Sequence, residues 1–121
     1  MSSNSVLVCD DSQIDRDLVS QALIAGGFRV STVSDGEECL KTVQQKRPDV
    51  IVLDVVMPKQ NGFQVCRQLK TDPATKDIKV VLLSSKNQAS DKFWGQKQGA
   101  DLYLTKPFSD ADLVAGVRSL M

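Results

Sequence analysis

The chain has 121 residues, 41% of them hydrophobic and 25% charged, with 15 Lys+Arg against 15 Asp+Glu. That is the size and make-up of one ordinary globular domain, and it excludes disordered, collagenous and membrane-embedded classes. A formal net charge of zero also removes the broad attraction on which general binding to nucleic acid or membrane surfaces depends.

Five short apolar runs recur along the chain: Val6–Cys9, a weaker Arg29–Thr32, Val50–Leu53, Val80–Leu83 and Leu102–Thr105. Val-Leu-Val-Cys, Val-Ile-Val-Leu and Val-Val-Leu-Leu are continuous and rich in β-branched residues rather than alternating. Such runs are the mark of strands covered on both faces, as in a parallel sheet under helices. The segments between them carry helical spacing and punctuation. From Ser12 to Ala25, residues Ile14, Leu18, Ala22 and Ala25 recur at spacings of three and four, and Gly26-Gly27 ends the segment. Ser34 with Glu37 predicts a capping box ahead of Cys39, Leu40 and Val43, with Pro48 as the stop. Phe63, Cys66 and Leu69 mark a third helix before Asp72-Pro73. Ser90 opens a fourth over Asp91–Gln98, ended by Gly99. Ser109 opens a fifth, with Leu113, Val117 and Leu120 on one face.

Five β-α units in succession argue a doubly wound α/β fold with right-handed crossovers. A flavodoxin-like strand order of 2-1-3-4-5 suits this length, and ligands in such sheets bind outside the strand carboxyl ends beside the switch point. The chain places Asp10-Asp11 after strand one, Asp54 after strand three, Ser84-Ser85 after strand four and Lys106-Pro107 after strand five. One Asp in such a place is ordinarily a helix cap or turn residue. Three facing one crevice are not, because unit charges about 5 Å apart repel by roughly 3 kcal/mol at an effective dielectric near 20. They call for a cation or shifted protonation. An all-oxygen donor set without His or Cys suits Mg²⁺ or Mn²⁺. One carboxylate is then left to attack phosphorus and form an aspartyl phosphate. The metal would take one phosphoryl oxygen, Lys106 a second, and the Ser84 hydroxyl with a backbone N–H the third. Pro107 makes a cis Lys106-Pro107 bond an option.

The absence of histidine rules out Ser-His-Asp and Cys-His catalysis, histidine metal sites and any phosphohistidine on this chain. Cys9, Cys39 and Cys66 are odd in number, widely spaced and form no C-x-x-C, so neither a disulfide scaffold nor a zinc ribbon is expected. The sequence has no signal-peptide apolar region and no run of about eighteen apolar residues, which points to a cytoplasmic protein without membrane insertion.

The ordered set Asp10-Asp11, Asp54, Met57-Pro58, Gly62, Ser84, Tyr103 and Lys106-Pro107-Phe108 resembles the receiver domain of two-component response regulators (CheY-like). The likeness extends over essentially the whole chain. It implies that Asp54 is the phosphoacceptor and that Asp11, Asp54 and the backbone carbonyl of Val56 ligate Mg²⁺, for which Mn²⁺ can substitute. Asp10 would act through water, Lys106 would contact the phosphoryl group, and Ser84 and Tyr103 would form the switch pair. Val56 stands where fast chemotaxis regulators often carry Asn, and Lys86 where they often carry Glu; both imply slow self-dephosphorylation. Ser85 replaces a small Ala or Gly. The stretch Ser85-Lys86-Asn87-Gln88, followed by Asp91 to Ala100 and Tyr103 to Pro107, is similar to the stand-alone receivers of Pil-type chemosensory systems, which govern twitching motility and phototaxis.

The resemblance therefore implies one receiver domain over residues 1–121, without an output domain. It would be a signalling phosphoacceptor rather than an enzyme, supplied by a histidine kinase of the chemotaxis class and acting on a downstream motility or signalling protein. Trp94 is expected to bury part of its indole beneath the fourth strand. Other readings fit less well. A phosphate sink would use the same acidic set and stays an alternative output, whereas a degenerate receiver serving only as an interaction module would not need that set with Ser84 and Lys106. A Mg²⁺-dependent aspartyl-phosphate phosphatase wants a second Asp where Val56 stands. A flavodoxin-like nucleotide binder wants a Gly- or Ser/Thr-rich loop where Asp10-Asp11 stand.

Overall fold

The computed structural model describes residues 4–57, 60–85 and 89–121. Pro58 of the Met57-Pro58 motif, and Lys86, Asn87 and Gln88, lie outside the described residues. The chain alternates strictly as β1 (Ser5–Cys9), α1 (Gln13–Ala25), β2 (Arg29–Val33), α2 (Gly36–Gln45), β3 (Val50–Asp54), α3 (Gly62–Thr71), β4 (Lys79–Ser84), α4 (Ala89–Lys97), β5 (Leu102–Thr105) and α5 (Asp110–Ser119). All five strands are parallel, in the order β2-β1-β3-β4-β5. The flavodoxin-like α/β fold expected from the sequence is the fold observed.

The continuous apolar runs divide their side chains between two cores, as successive strand residues must. Leu7, Cys9, Ile51, Leu53, Val80 and Leu82 point to one face, where α2 and α3 bury Cys39, Val43, Val65, Cys66 and Leu69. Val6, Val8, Val50, Val52, Val81 and Leu83 point to the other, where α1 and α5 bury Val19, Ala22, Leu23, Leu113 and Val117. All of β3 is buried. β2, whose Arg29, Ser31 and Thr32 are exposed, closes one edge of the sheet.

The helix expectations hold in outline and need four corrections. On α1 the buried stripe is Val19, Ala22 and Leu23, whereas Ile14 and Leu18 are 74% and 60% exposed. Two overlapping stripes with helical spacing run along this helix, and only docking against the sheet selects one. The α2 cap lies one residue later than expected. Asp35 is the N-cap and accepts from Glu38 N at 2.8 Å, while the Glu38 carboxylate accepts from Ser34 N at 3.0 Å. Asp at a cap also favours the helix dipole, which Ser does not. On α4, Ser90 lies inside the first turn rather than before it. Trp94 is 55% exposed, its ring edge-to-face with Phe93 at 6.0 Å. Gly95 is the one buried residue of α4, so the helix approaches the sheet through backbone and leaves the indole outside. The caps of α1 at Ser12 and α5 at Ser109 are as expected, and α3 carries a full capping box of Asn61 and Gln64.

Close approach fixes one glycine beside the third strand. A Cβ on Gly62 would lie 2.3 Å from the Asp54 carbonyl oxygen and 2.8 Å from the Val55 Cα. The Gly62 N–H donates to the Val55 carbonyl at 2.8 Å, so α3 begins directly against the end of β3. Because the obstructing atoms are backbone, Gly62→Ala is expected to destabilise the protein by about 1–3 kcal/mol. Urea unfolding of both proteins checks this, and an unchanged midpoint would refute it.

Candidate functional site

The parallel register brings the carboxyl ends of the central strands level, because Cys9 pairs with Leu53, Asp54 with Leu83 and Ser84 with Thr105. The residues that follow therefore share one rim. Asp10, Asp11 and Asp54 each offer a carboxylate oxygen, and these three oxygens lie within 4.8 Å of one another. Asp10 and Asp54 are buried and Asp11 is exposed. The Asp10 carboxylate accepts from Ser12 N at 3.0 Å, and its backbone carbonyl accepts from the Arg16 guanidinium at 2.8 Å. These contacts hold Asp10 against the start of α1.

Lys106 enters from the far side through a cis Lys106-Pro107 peptide. Its backbone N–H donates to the Ser84 carbonyl at 2.8 Å, extending the β4–β5 ladder by one residue. The ammonium then reaches Asp54 Oδ1 at 3.4 Å, Asp15 Oδ2 at 3.4 Å and Asp10 Oδ2 at 3.9 Å. Ser84 is buried at the end of β4, and its side chain is hydrogen-bonded to the Tyr103 hydroxyl. The Tyr103 ring packs against the α2–α3 core, and a Cβ on Gly95 would fall 2.7 Å from its edge. Val56 follows β3 with its side chain 57% exposed.

The electrostatics follow from this crowding. Burial, followed by repulsion from Asp10, pushes the Asp54 carboxyl up to about 6, against the opposing pull of Lys106. Burial also raises Asp10, partly offset by the Ser12 N–H and by Lys106. For Lys106, burial disfavours the charge, but Asp54, Asp10 and Asp15 outweigh it and its pKa rises. Burial raises Tyr103, with the Ser84 hydrogen bond acting the other way. Three carboxylates clustered this closely, two of them with raised proton affinity, are short of positive charge. An all-oxygen set of this kind matches a hard divalent cation such as Mg²⁺ or Mn²⁺, so the residues present fit the metal that the sequence implies.

The structure thus gathers Asp10, Asp11, Asp54, Lys106 and Ser84 at one rim, with Val56 at its edge and Tyr103 one step below it within β5, opposite Leu82. It also brings in two residues that sequence reasoning passed over, Asp15 and Arg16. Asp15 lies five residues after Asp10 in the first turn of α1. In sequence it reads as an ordinary dipole-complementing acid, and only the path of the β5–α5 turn reveals its contact with Lys106.

The family model of the response regulator receiver domain matches residues 6–118, and the chain belongs to that family. Protein PilH of Pseudomonas aeruginosa is 36% identical over 116 residues, covering 96% of this chain and 96% of PilH. Response regulator PleD of Caulobacter vibrioides is 43% identical over 118 residues, covering 98% of this chain and 26% of PleD. The chain spans about a quarter of PleD and about half of the Bacillus subtilis alkaline phosphatase synthesis transcriptional regulatory protein PhoP. Among solved structures, chemotaxis response regulator CheY4 of Vibrio cholerae superposes with a TM-score of 0.92 at 32% identity, over 99% of this chain and 100% of that one. A putative response regulator from Chloroflexus aurantiacus gives 0.94 at 28% identity, over 98% of both chains.

The raised Asp54 carboxyl has a consequence for stability. Between its ordinary 3.8 and about 6, the folded protein holds a proton that the unfolded chain has released. Stability of the metal-free protein therefore falls as pH rises through that window. Asp54→Asn keeps the shape without the charge, and is expected to exceed wild type by about 2–3 kcal/mol at pH 7 in chelator. The difference should vanish below about pH 4. Urea unfolding across pH checks it; a less stable Asp54→Asn variant at pH 7 would overturn the sign.

Proposed function

We propose that this chain is a phosphoacceptor switch, with Asp54 as the residue that takes the phosphoryl group. One observation carries the reading: the Lys106 ammonium lies 3.4 Å from Asp54 Oδ1 beside the Asp10–Asp11–Asp54 oxygen cluster. It pairs a buried nucleophile with a cation for the developing phosphoryl charge. Asp11, Asp54 and the Val56 backbone carbonyl would hold Mg²⁺ (or Mn²⁺), with Asp10 acting through water. When bound, the metal neutralises the carboxylates and part of the phosphoryl charge.

An Asp54 oxygen attacks the phosphorus of a phosphohistidine donor, and the bond from phosphorus to the donor imidazole breaks with its electron pair staying on nitrogen. Lys106 and the Ser84 hydroxyl donate to phosphoryl oxygens as these swing towards Asp54. Because Ser84 is bonded to Tyr103 beforehand, the switch is an exchange of partners: Ser84 turns to the phosphoryl group and releases Tyr103. That biases the surface formed by α4, β5 and α5, an equilibrium already sampled without phosphate.

The donor in this reading is a histidine kinase, of the chemotaxis class given the likeness to PilH, and the output is a protein contact in chemosensory control of type IV pilus motility or taxis. The chain covers 96% of PilH, and we take residues 1–121 as one receiver domain. The formal charge of zero argues against nucleic acid as the partner. Among the described residues no helix is long and apolar enough to cross a membrane. We place the protein in the cytoplasm, where the buried thiols of Cys9, Cys39 and Cys66 stay reduced.

Incubation with acetyl phosphate and Mg²⁺ is expected to label Asp54, with EDTA abolishing the label and Asp54→Ala removing it. Peptide mapping after borohydride reduction checks the position, and normal labelling of Asp54→Ala would refute the assignment. The exposed Val56 side chain next to the site leads to a second expectation, a phosphorylated form that lasts minutes or longer without a phosphatase. Decay within seconds would contradict it.

A further inference from the structure

The two carboxylates nearest to Lys106 differ in kind. Its ammonium is bracketed by Asp54 Oδ1 and by Asp15 Oδ2, each at 3.4 Å. Asp15 belongs to neither a strand end nor the three-oxygen cluster. Its position is set by the cap of α1, where its N–H donates to Ser12 Oγ at 3.3 Å. An acid in the first helical turn needs no partner beyond the helix dipole, and a side chain facing water would satisfy that role. Asp15 instead lays an oxygen on the ammonium that, among the described residues, reaches the phosphoacceptor, with its side chain 44% exposed.

We propose that Asp15 is a positioning residue that restrains Lys106 and screens the site against highly charged phosphodonors. This rests on Asp54 as phosphoacceptor. Twice 3.4 Å is the most that can separate the Asp15 and Asp54 oxygens either side of the ammonium, so a phosphoryl group arriving at Asp54 enters the field of the Asp15 carboxylate. Metal held by Asp10, Asp11 and Asp54 offsets those charges. Asp15 lies outside the cluster and keeps its claim on Lys106. For Lys106 to donate to a phosphoryl oxygen, it must loosen its contact with Asp15. The restraint therefore grows with the charge of the donor and weakens as salt screens it.

Two donors separate charge from shape. With acetyl phosphate, a dianion at neutral pH, Asp54 attacks phosphorus and acetate leaves with the electron pair of the phosphorus–oxygen bond. With phosphoramidate, a monoanion whose nitrogen is already protonated, ammonia leaves with the pair of the phosphorus–nitrogen bond. Wild type, Asp15→Asn and Asp15→Glu are compared in Mg²⁺ by intact mass, and their affinity for beryllofluoride is titrated as a readout without turnover. Asp15→Asn is expected to react about three- to tenfold faster with acetyl phosphate and no more than about twofold faster with phosphoramidate. The difference should close near 0.5 M salt, where the Debye length is about 4 Å. Asp15→Asn should also bind beryllofluoride more tightly, and Asp15→Glu should stay within about twofold of wild type. Equal rates for wild type and Asp15→Asn, equal acceleration with both donors, or acceleration that survives high salt would each overturn the proposal. Failure of wild type to label at Asp54 would instead overturn the reading beneath it.

Discussion

Among the described residues, one ammonium set between four carboxylates is the constraint on which this rim is built. Asp10 and Asp54 are buried, Asp11 completes their cluster, Asp15 stands beside it, and Lys106 is the ammonium that reaches three of the four. Repulsion between unit charges at such distances is worth roughly 3 kcal/mol per pair at an effective dielectric near 20, more than one partly exposed lysine offsets. The imbalance appears as raised proton affinity at Asp10 and Asp54. A site strained in this way gains from any added positive charge, and it holds a nucleophile that a divalent ion can leave ionised. Metal demand and phosphoryl chemistry thus come from one arrangement.

The sheet supplies the stiffness that keeps the imbalance in place. β3 is buried along its length, flanked by β1 and β4, and sandwiched between two cores. Asp54 therefore cannot back away from Asp10 without moving a strand that is packed on both faces, and packed interiors do not deform continuously. Gly62 closes the remaining side, because α3 begins in contact with the Asp54 carbonyl. On the other flank, Lys106 is tied by its backbone to Ser84, so the lysine and the hydroxyl move with the same pair of strands.

What could be read from the sequence divides along the same line. Continuous β-branched runs such as Val50–Leu53 read as strands covered on both faces, and their order in a repeated β-α pattern places Asp10, Asp11, Asp54, Ser84 and Lys106 at one rim. That inference needs no side-chain detail. The misses lie where two local patterns compete or where a contact spans the chain. Ile14 and Leu18 form as good a helical stripe as Val19, Ala22 and Leu23, and only the packing of α1 against the sheet decides. Ser34 and Asp35 are both good caps one residue apart, and the carboxylate wins at a dipole. Asp15 is separated from Lys106 by most of the chain, and nothing local marks it. Trp94 was expected under β4, yet Gly95 takes the buried position because the Tyr103 ring already occupies the space.

That last substitution bears on how a charge at Asp54 would travel. α4 buries no side chain of its own, only Gly95, so it rests on the Tyr103 ring rather than on a stripe of apolar anchors. Tyr103 is in turn held by Ser84, whose strand neighbour Lys106 contacts Asp54. Elements with few buried contacts open at the low end of a protein's stability scale, so α4 is the part of the rim that yields most easily. A single hydrogen bond is worth about 1 kcal/mol net, little against the two cores but sizeable against a helix anchored on one ring. In the proposed switch, moving the Ser84 hydroxyl from tyrosine to phosphate is therefore enough to reposition α4 and so reshape the surface it forms with β5 and α5, while the two cores stay packed.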